Sequence, residues 1–107
     1  MIKRPVRHKF GAKPTEVDGI RFDSKIESKY FEKLKFCQKS GELLFFLRQV
    51  PIHLPGKTKL VIDFVEYWAD GNVVFTDVKG IETETFRLKQ RQVEAIYPFK
   101  INIVKKI

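Results

Sequence analysis

A chain of 107 residues has room for one compact domain and not two, because domains usually run ~100–150 residues around a single core. Hydrophobic residues at 43%, with 13% aromatics, exclude global disorder. A net charge of +8 directs attention to polyanionic partners. The lack of any apolar run near the ~18 residues of a membrane span, or of a signal-peptide core, predicts a soluble intracellular protein.

Residues 1–13 read as a basic arm, holding Lys3, Arg4, Arg7, Lys9 and Lys13 without an acid. Such a segment neutralises phosphates and releases condensed counterions, which gives salt-sensitive affinity for nucleic acid; it fits a solvated tail equally well. An anionic membrane is a third option, with no amphipathic basic helix or lipidation signal behind it. His8 and His53 lack the spacing of a metal site. From residue 14 to 107 the pattern is that of a folded domain. Thr15–Val17 and Ile20–Phe22 predict a hairpin around Asp18-Gly19, a dipeptide that tolerates positive φ. Ser24-Lys25-Ile26-Glu27 has the Ser-x-x-Glu form of a capping box, in which serine and glutamate satisfy each other's unpaired backbone donors. Ile26, Tyr30, Leu34 and Cys37 follow at helical spacing, and Gly41 supplies the stop. Cys37, the only cysteine, thus reads as a buried structural thiol and excludes an internal disulfide.

Leu43–Leu54 predicts a strand that Pro51 and Pro55 restrict to a sheet edge or terminate. Leu60–Trp68 and Val73–Lys79 are richer in Val, Ile and aromatics and predict two further strands, with Ala69-Asp70-Gly71 between them. Phe86, Val93 and Ile96 mark a helix ending before Pro98, and Ile101–Val104 closes the chain as a strand. The expected fold is α/β: an αβββαβ core with a mixed sheet, preceded by a short β-hairpin.

Three acids and a lysine occupy informative places. Glu27 lies in the first turn of the first helix, Asp63 between Ile62 and Phe64, and Asp77-Val78-Lys79 at the end of the third long strand. Each alone fits a cap, a strand-edge charge or a solvent-facing pair. Together they place carboxylates in segments that read as buried, where an unpartnered charge is costly. A hard divalent cation such as Mg²⁺ is one partner that resolves the cost. Strand periodicity puts Lys79 on the face of Asp77. Hairpin parity decides whether Asp63 and Asp77 meet. A two-residue turn at Asp70-Gly71 would point them to opposite sides. A three-residue loop, with Gly71 left-handed, pairs Trp68 with Asn72 and sets Asp63 opposite Asp77; this loop is the expectation.

Glu27 on the first helix, Asp63, and then Asp77-x-Lys79 before a second helix resemble the PD-(D/E)XK nuclease pattern over residues 14–107. Lys9-Phe10-Gly11-Ala12, the stretch from Asp18-Gly19-Ile20-Arg21-Phe22 to Asp23-Ser24-Lys25-Ile26-Glu27, and Asp77-Val78-Lys79-Gly80 resemble small phage and prophage endonucleases, some related to Holliday-junction resolvases. Asp77 stands where many members carry Glu, and Ile62-Asp63 lacks the proline of the family name. The resemblance implies a restriction-endonuclease-like core in which Glu27, Asp63, Asp77 and the Val78 carbonyl hold one or two Mg²⁺ ions, Mn²⁺ being an alternative. Lys79 would orient or activate the attacking water. It further implies Lys89 as a residue reaching the site, against the reading of a lysine at the stripe's edge. Arg87 and Arg91 would meet DNA backbone, or solvent.

The expected function is a Mg²⁺-dependent DNA endonuclease, structure-selective for branched or junction DNA because nothing resembles a base-reading module. Its expected setting is phage or prophage recombination or replication, in the cytoplasm of the host cell. The apolar run Leu43-Leu44-Phe45-Phe46-Leu47 exceeds what one buried face needs and suggests a homodimer. The rival reading is a non-catalytic nucleic-acid-binding protein with a nuclease-like fold; a basic assembly protein would leave the buried acids unexplained.

Overall fold

The computed structural model describes residues 15–106, so the arm residues Lys3, Arg4, Arg7, Lys9 and Lys13 lie outside the described residues. Strands β1 (Thr15–Val17) and β2 (Ile20–Phe22) form the expected hairpin. Its turn holds Asp18 and Gly19 at φ 53° and 75°, the left-handed pair that matches a tight turn to strand twist. Helix α1 (Lys25–Ser40) starts at Ser24, whose hydroxyl accepts the Glu27 N–H, and stops at left-handed Gly41. The capping box is formed by the serine alone, because the Glu27 carboxylate is turned towards Arg48 and Gln49.

The main sheet has the order β3 (Leu43–Leu54), β4 (Thr58–Trp68), β5 (Val73–Val78), β6 (Ile101–Val104). The first three strands are antiparallel, and β6 is parallel to β5 after the crossover through α2 (Glu84–Ile96). The sheet is therefore mixed, within an α/β fold. Proline-bearing β3 takes an edge, where a missing N–H is tolerated.

Two apolar clusters cover the sheet. Tyr30, Phe31 and Leu34 of α1 pack with Phe22, Leu43, Phe64 and Val78. Phe86 and Val93 of α2 pack with Ile52, Leu54, Leu60, Ile62, Val65 and Ile101. Ile96, expected in the second stripe, is exposed, and Cys37 is half-buried beside the first cluster rather than enclosed.

Cluster membership reveals a change of face in both long strands. Leu60 and Ile62 belong with α2, yet Phe64, of the same parity, belongs with α1, and Val65 returns to α2. In β3, Phe46 packs on the α1 side and Val50 on the α2 side. The switch falls at Gln49 and Asp63, which face each other between the paired residues Arg48↔Phe64 and Val50↔Ile62. Gln49 has φ 53°, which a residue with a Cβ seldom adopts. Because both strands shift phase at the same place, their pairing continues while the sheet presents new side chains on either side.

Candidate active site at the fork of β4 and β5

The loop between β4 and β5 sets the geometry. Tyr67 pairs with Val73, and Trp68 N–H donates to the Asn72 carbonyl at 2.9 Å. Ala69, Asp70 and Gly71 thus form the expected three-residue loop, with Gly71 at φ 95°. The register runs to Phe64↔Thr76, and its continuation sets Asp63 against Asp77. There the backbone ladder ends and the carboxylates take over. Asp77 Oδ1 accepts the Asp63 N–H at 3.1 Å, while Asp63 Oδ2 accepts the Val78 N–H at 2.8 Å. This crossed exchange keeps the strand ends together without backbone acceptors and fixes both side chains.

Asp77 is fully buried. Its Oδ2 lies 3.3 Å from Lys79 Nζ, an ion-pair distance, but among the described residues no group bonds it in hydrogen-bonding geometry. The Lys79 ammonium also sits 4.8 Å from the Phe86 ring centroid, so an acid and an aromatic face hold it in place. Burial, and then the Asp63 charge, push the Asp77 carboxyl up from 3.8 to about 7 against the opposing pull of Lys79. Glu27 comes from the first turn of α1, as expected. Burial, followed by repulsion from Asp63, raises its carboxyl from 4.5 to about 7, partly countered by Arg48.

Two residues in this site had not been singled out by sequence reasoning. Gln49 Nε2 lies 3.3 Å from Glu27 Oε2 and 3.4 Å from Asp63 Oδ1, two long hydrogen bonds from one amide. Arg48 approaches the same Glu27 oxygen at 3.6 Å and lies over Phe22, with its guanidinium carbon 4.6 Å from the ring centroid. Their signal was a polar pair between Leu47 and Val50 in an otherwise apolar strand. Glu66 was also overlooked. It is buried on the α1 side, where Tyr30 Oη donates at 2.6 Å and Trp68 Nε1 at 3.0 Å, and these donors satisfy it as a structural acid.

Lys89 is directed elsewhere: its ammonium donates to the Lys59 carbonyl at 3.1 Å, tying α2 to the start of β4. Arg87 and Arg91 are exposed on α2 beside Glu84, Thr85 and Leu88 at a shallow depression. Val78 is buried against the α1-side cluster while its N–H reaches Asp63.

The donor chemistry suits a hard divalent cation, since the acids are oxygen ligands and Asp77 Oδ2 is buried without a hydrogen bond from any described residue. Among the described residues, however, no three His, Cys, Asp or Glu groups are gathered closely enough to hold a metal ion. Asp63 Oδ2 and Asp77 Oδ1 are engaged by backbone N–H groups, and the Gln49 amide lies between Glu27 and Asp63. No helix among the described residues is long and apolar enough to cross a membrane.

The model of one family, described as "Protein of unknown function (DUF1064)", matches residues 7–106. The match takes in the fork, both helices and the end of the basic arm. No curated protein matches the chain, and no solved structure does.

Proposed function

The chain belongs to that family, and from the fork of β4 and β5 we propose that it is a divalent-cation-dependent endonuclease hydrolysing phosphodiester bonds in DNA. One observation carries this reading: two aspartates from adjacent strands face each other across the register, and a buried oxygen of one, not hydrogen-bonded by any described residue, lies at ion-pair distance from the Lys79 ammonium. The crossed bonds tie the two strands, but they do not require the second Asp77 oxygen to be buried without a hydrogen bond, which raises the cost of ionising it.

In this reading Glu27, Asp63, Asp77 and the Val78 carbonyl would hold Mg²⁺ or Mn²⁺. Such a cation would supply positive charge to offset the negative charge developing in phosphodiester hydrolysis. Lys79, held by Asp77 and the Phe86 ring, donates a hydrogen bond that orients the attacking water. The water oxygen bonds to phosphorus as the bond to the 3′ oxygen breaks; the water gives up a proton to solvent and the 3′ oxygen takes one up from solvent, leaving a 5′-phosphate and a 3′-hydroxyl. The basic arm, with Arg87 and Arg91, contributes phosphate contacts, and Lys89 supports the fold through Lys59. The preferred DNA is branched, the working unit is a homodimer, and the setting is the cytoplasm of a phage-infected or prophage-bearing cell.

A non-catalytic nucleic-acid-binding protein is the second reading, favoured by the absence of three converging ligands among the described residues. Incubation with linear duplex, flap, single-stranded and four-way-junction DNA in Mg²⁺, Mn²⁺ or Ca²⁺ separates the two. Cleavage in Mg²⁺ is expected, with Asp77→Asn and Lys79→Ala each lowering it at least ~100-fold while DNA affinity is kept. Undiminished cleavage by folded, pure Asp77→Asn protein overturns the site.

A further inference from the structure

Glu27 and Asp63 come from different elements, α1 and β4, and their like charges repel. The Gln49 side-chain amide joins them, its Nε2 lying 3.3 Å from one carboxylate and 3.4 Å from the other. It reaches that point through two unusual features: the paired change of face at Gln49 and Asp63, and a left-handed backbone at φ 53° that a glutamine seldom adopts. In a regular edge strand, residue 49 would have no reason to leave the extended conformation. Arg48, next in the chain, faces the same Glu27 oxygen at 3.6 Å and balances its charge.

We propose that Gln49 is a positioning residue, whose amide preassembles Glu27 and Asp63 for a divalent cation. This rests on the nuclease reading. An amide suits the task because it donates without adding charge. A carboxylate has about four lone-pair positions, so a hydrogen bond from Gln49 leaves others for a cation. Without the amide, Glu27 is free to turn away from the fixed Asp63 carboxylate by repulsion and must be brought back at the moment of binding. Groups that orient ligating carboxylates in this way typically change metal affinity 10–100-fold when removed.

The test is calorimetric titration of Ca²⁺ into the full-length protein and into Gln49→Gly and Gln49→Asn. Glycine keeps the left-handed backbone and removes the amide. Asparagine also tolerates that backbone, but is one methylene too short to span both acids. Each is expected to raise the Ca²⁺ dissociation constant about tenfold with the melting temperature little changed. In a Glu27→Gln background, where one bridged carboxylate is gone, the further loss from Gln49→Gly should fall below about twofold. That coupling distinguishes positioning from a general structural effect. Unaltered Ca²⁺ affinity in both variants, or an equal loss in the Glu27→Gln background, overturns the inference and leaves the nuclease reading standing. A native protein that binds neither Ca²⁺ nor Mg²⁺ removes both.

Discussion

Glu27 and Asp77 are acids held where ionisation is expensive, and their carboxyls are raised to about 7. A raised folded-state value means that the unfolded chain releases its proton first as pH rises. The stability attached to the protonated form is complete below the ordinary values of 4.5 and 3.8 and is lost as pH climbs through about 7. Cation-free protein should therefore melt at a lower temperature at pH 8 than at pH 6. Asp77→Asn should reduce this decline and stabilise the protein at pH 8, by on the order of 1 kcal/mol. Mg²⁺ should raise the melting temperature of the native protein at pH 8 but not that of Asp77→Asn. A flat profile for cation-free native protein between pH 6 and 8 would contradict the burial cost assigned to these acids. Glu66 is as enclosed as Asp77 but lies between two donors, Tyr30 and Trp68. Sequence pattern cannot separate the two cases, since both acids interrupt apolar strands. What distinguishes them is the supply of donors from other elements, which composition does not reveal.

At the scale of elements, the loop between β4 and β5 was legible because parity is arithmetic. Asp70-Gly71 fits a two-residue turn or, with Ala69, a three-residue loop, and only the three-residue loop sets Asp63 opposite Asp77. Gly71 at φ 95° has open space where a Cβ would stand, so the cost of a side chain there is conformational. Gly71→Ala should destabilise by about 1 kcal/mol, read from chemical denaturation with an unchanged slope. No effect would mean that the loop does not need its left-handed residue. The change of face at Gln49 and Asp63 was illegible for a related reason. Periodicity assumes that a strand keeps its phase, and here β3 and β4 lose theirs together, so neither sequence shows an inserted residue. The further irregularity between Leu43 and Phe45 shifts the register of β3 against β4 and leaves Leu44 at 59% exposure. The five-residue apolar run is therefore divided, with Leu43 buried and Leu44, Phe45 and Leu47 exposed.

At the scale of the whole molecule, that edge bears on how one small domain could act on branched DNA. β3 is twelve residues long and bonds to β4 alone in the main sheet. Edge strands are commonly blunted by charge because an open edge invites another strand. Among the described residues, Leu44, Phe45 and Leu47 are exposed along this strand, although the Leu44 carbonyl accepts from the Gln38 amide and Phe45 stacks on Tyr67, while Arg48 is turned inward to Glu27. Paired incision of a junction requires two sites, and on the proposed function a two-fold dimer joined along this edge would supply them with matching symmetry. Light scattering at micromolar concentration should therefore give twice the 12.6 kDa mass of the chain. Leu47→Lys, which places a charge on the exposed edge without entering the core, should return the protein to a monomer with its fold intact. The monomer should retain nicking of linear duplex and lose its preference for four-way junctions, because each nick needs one fork and paired resolution needs two. A native monomer without junction preference would end the resolvase interpretation. It would leave the fork, its acids and the proposal of nuclease activity untouched, since none of these depends on a second copy.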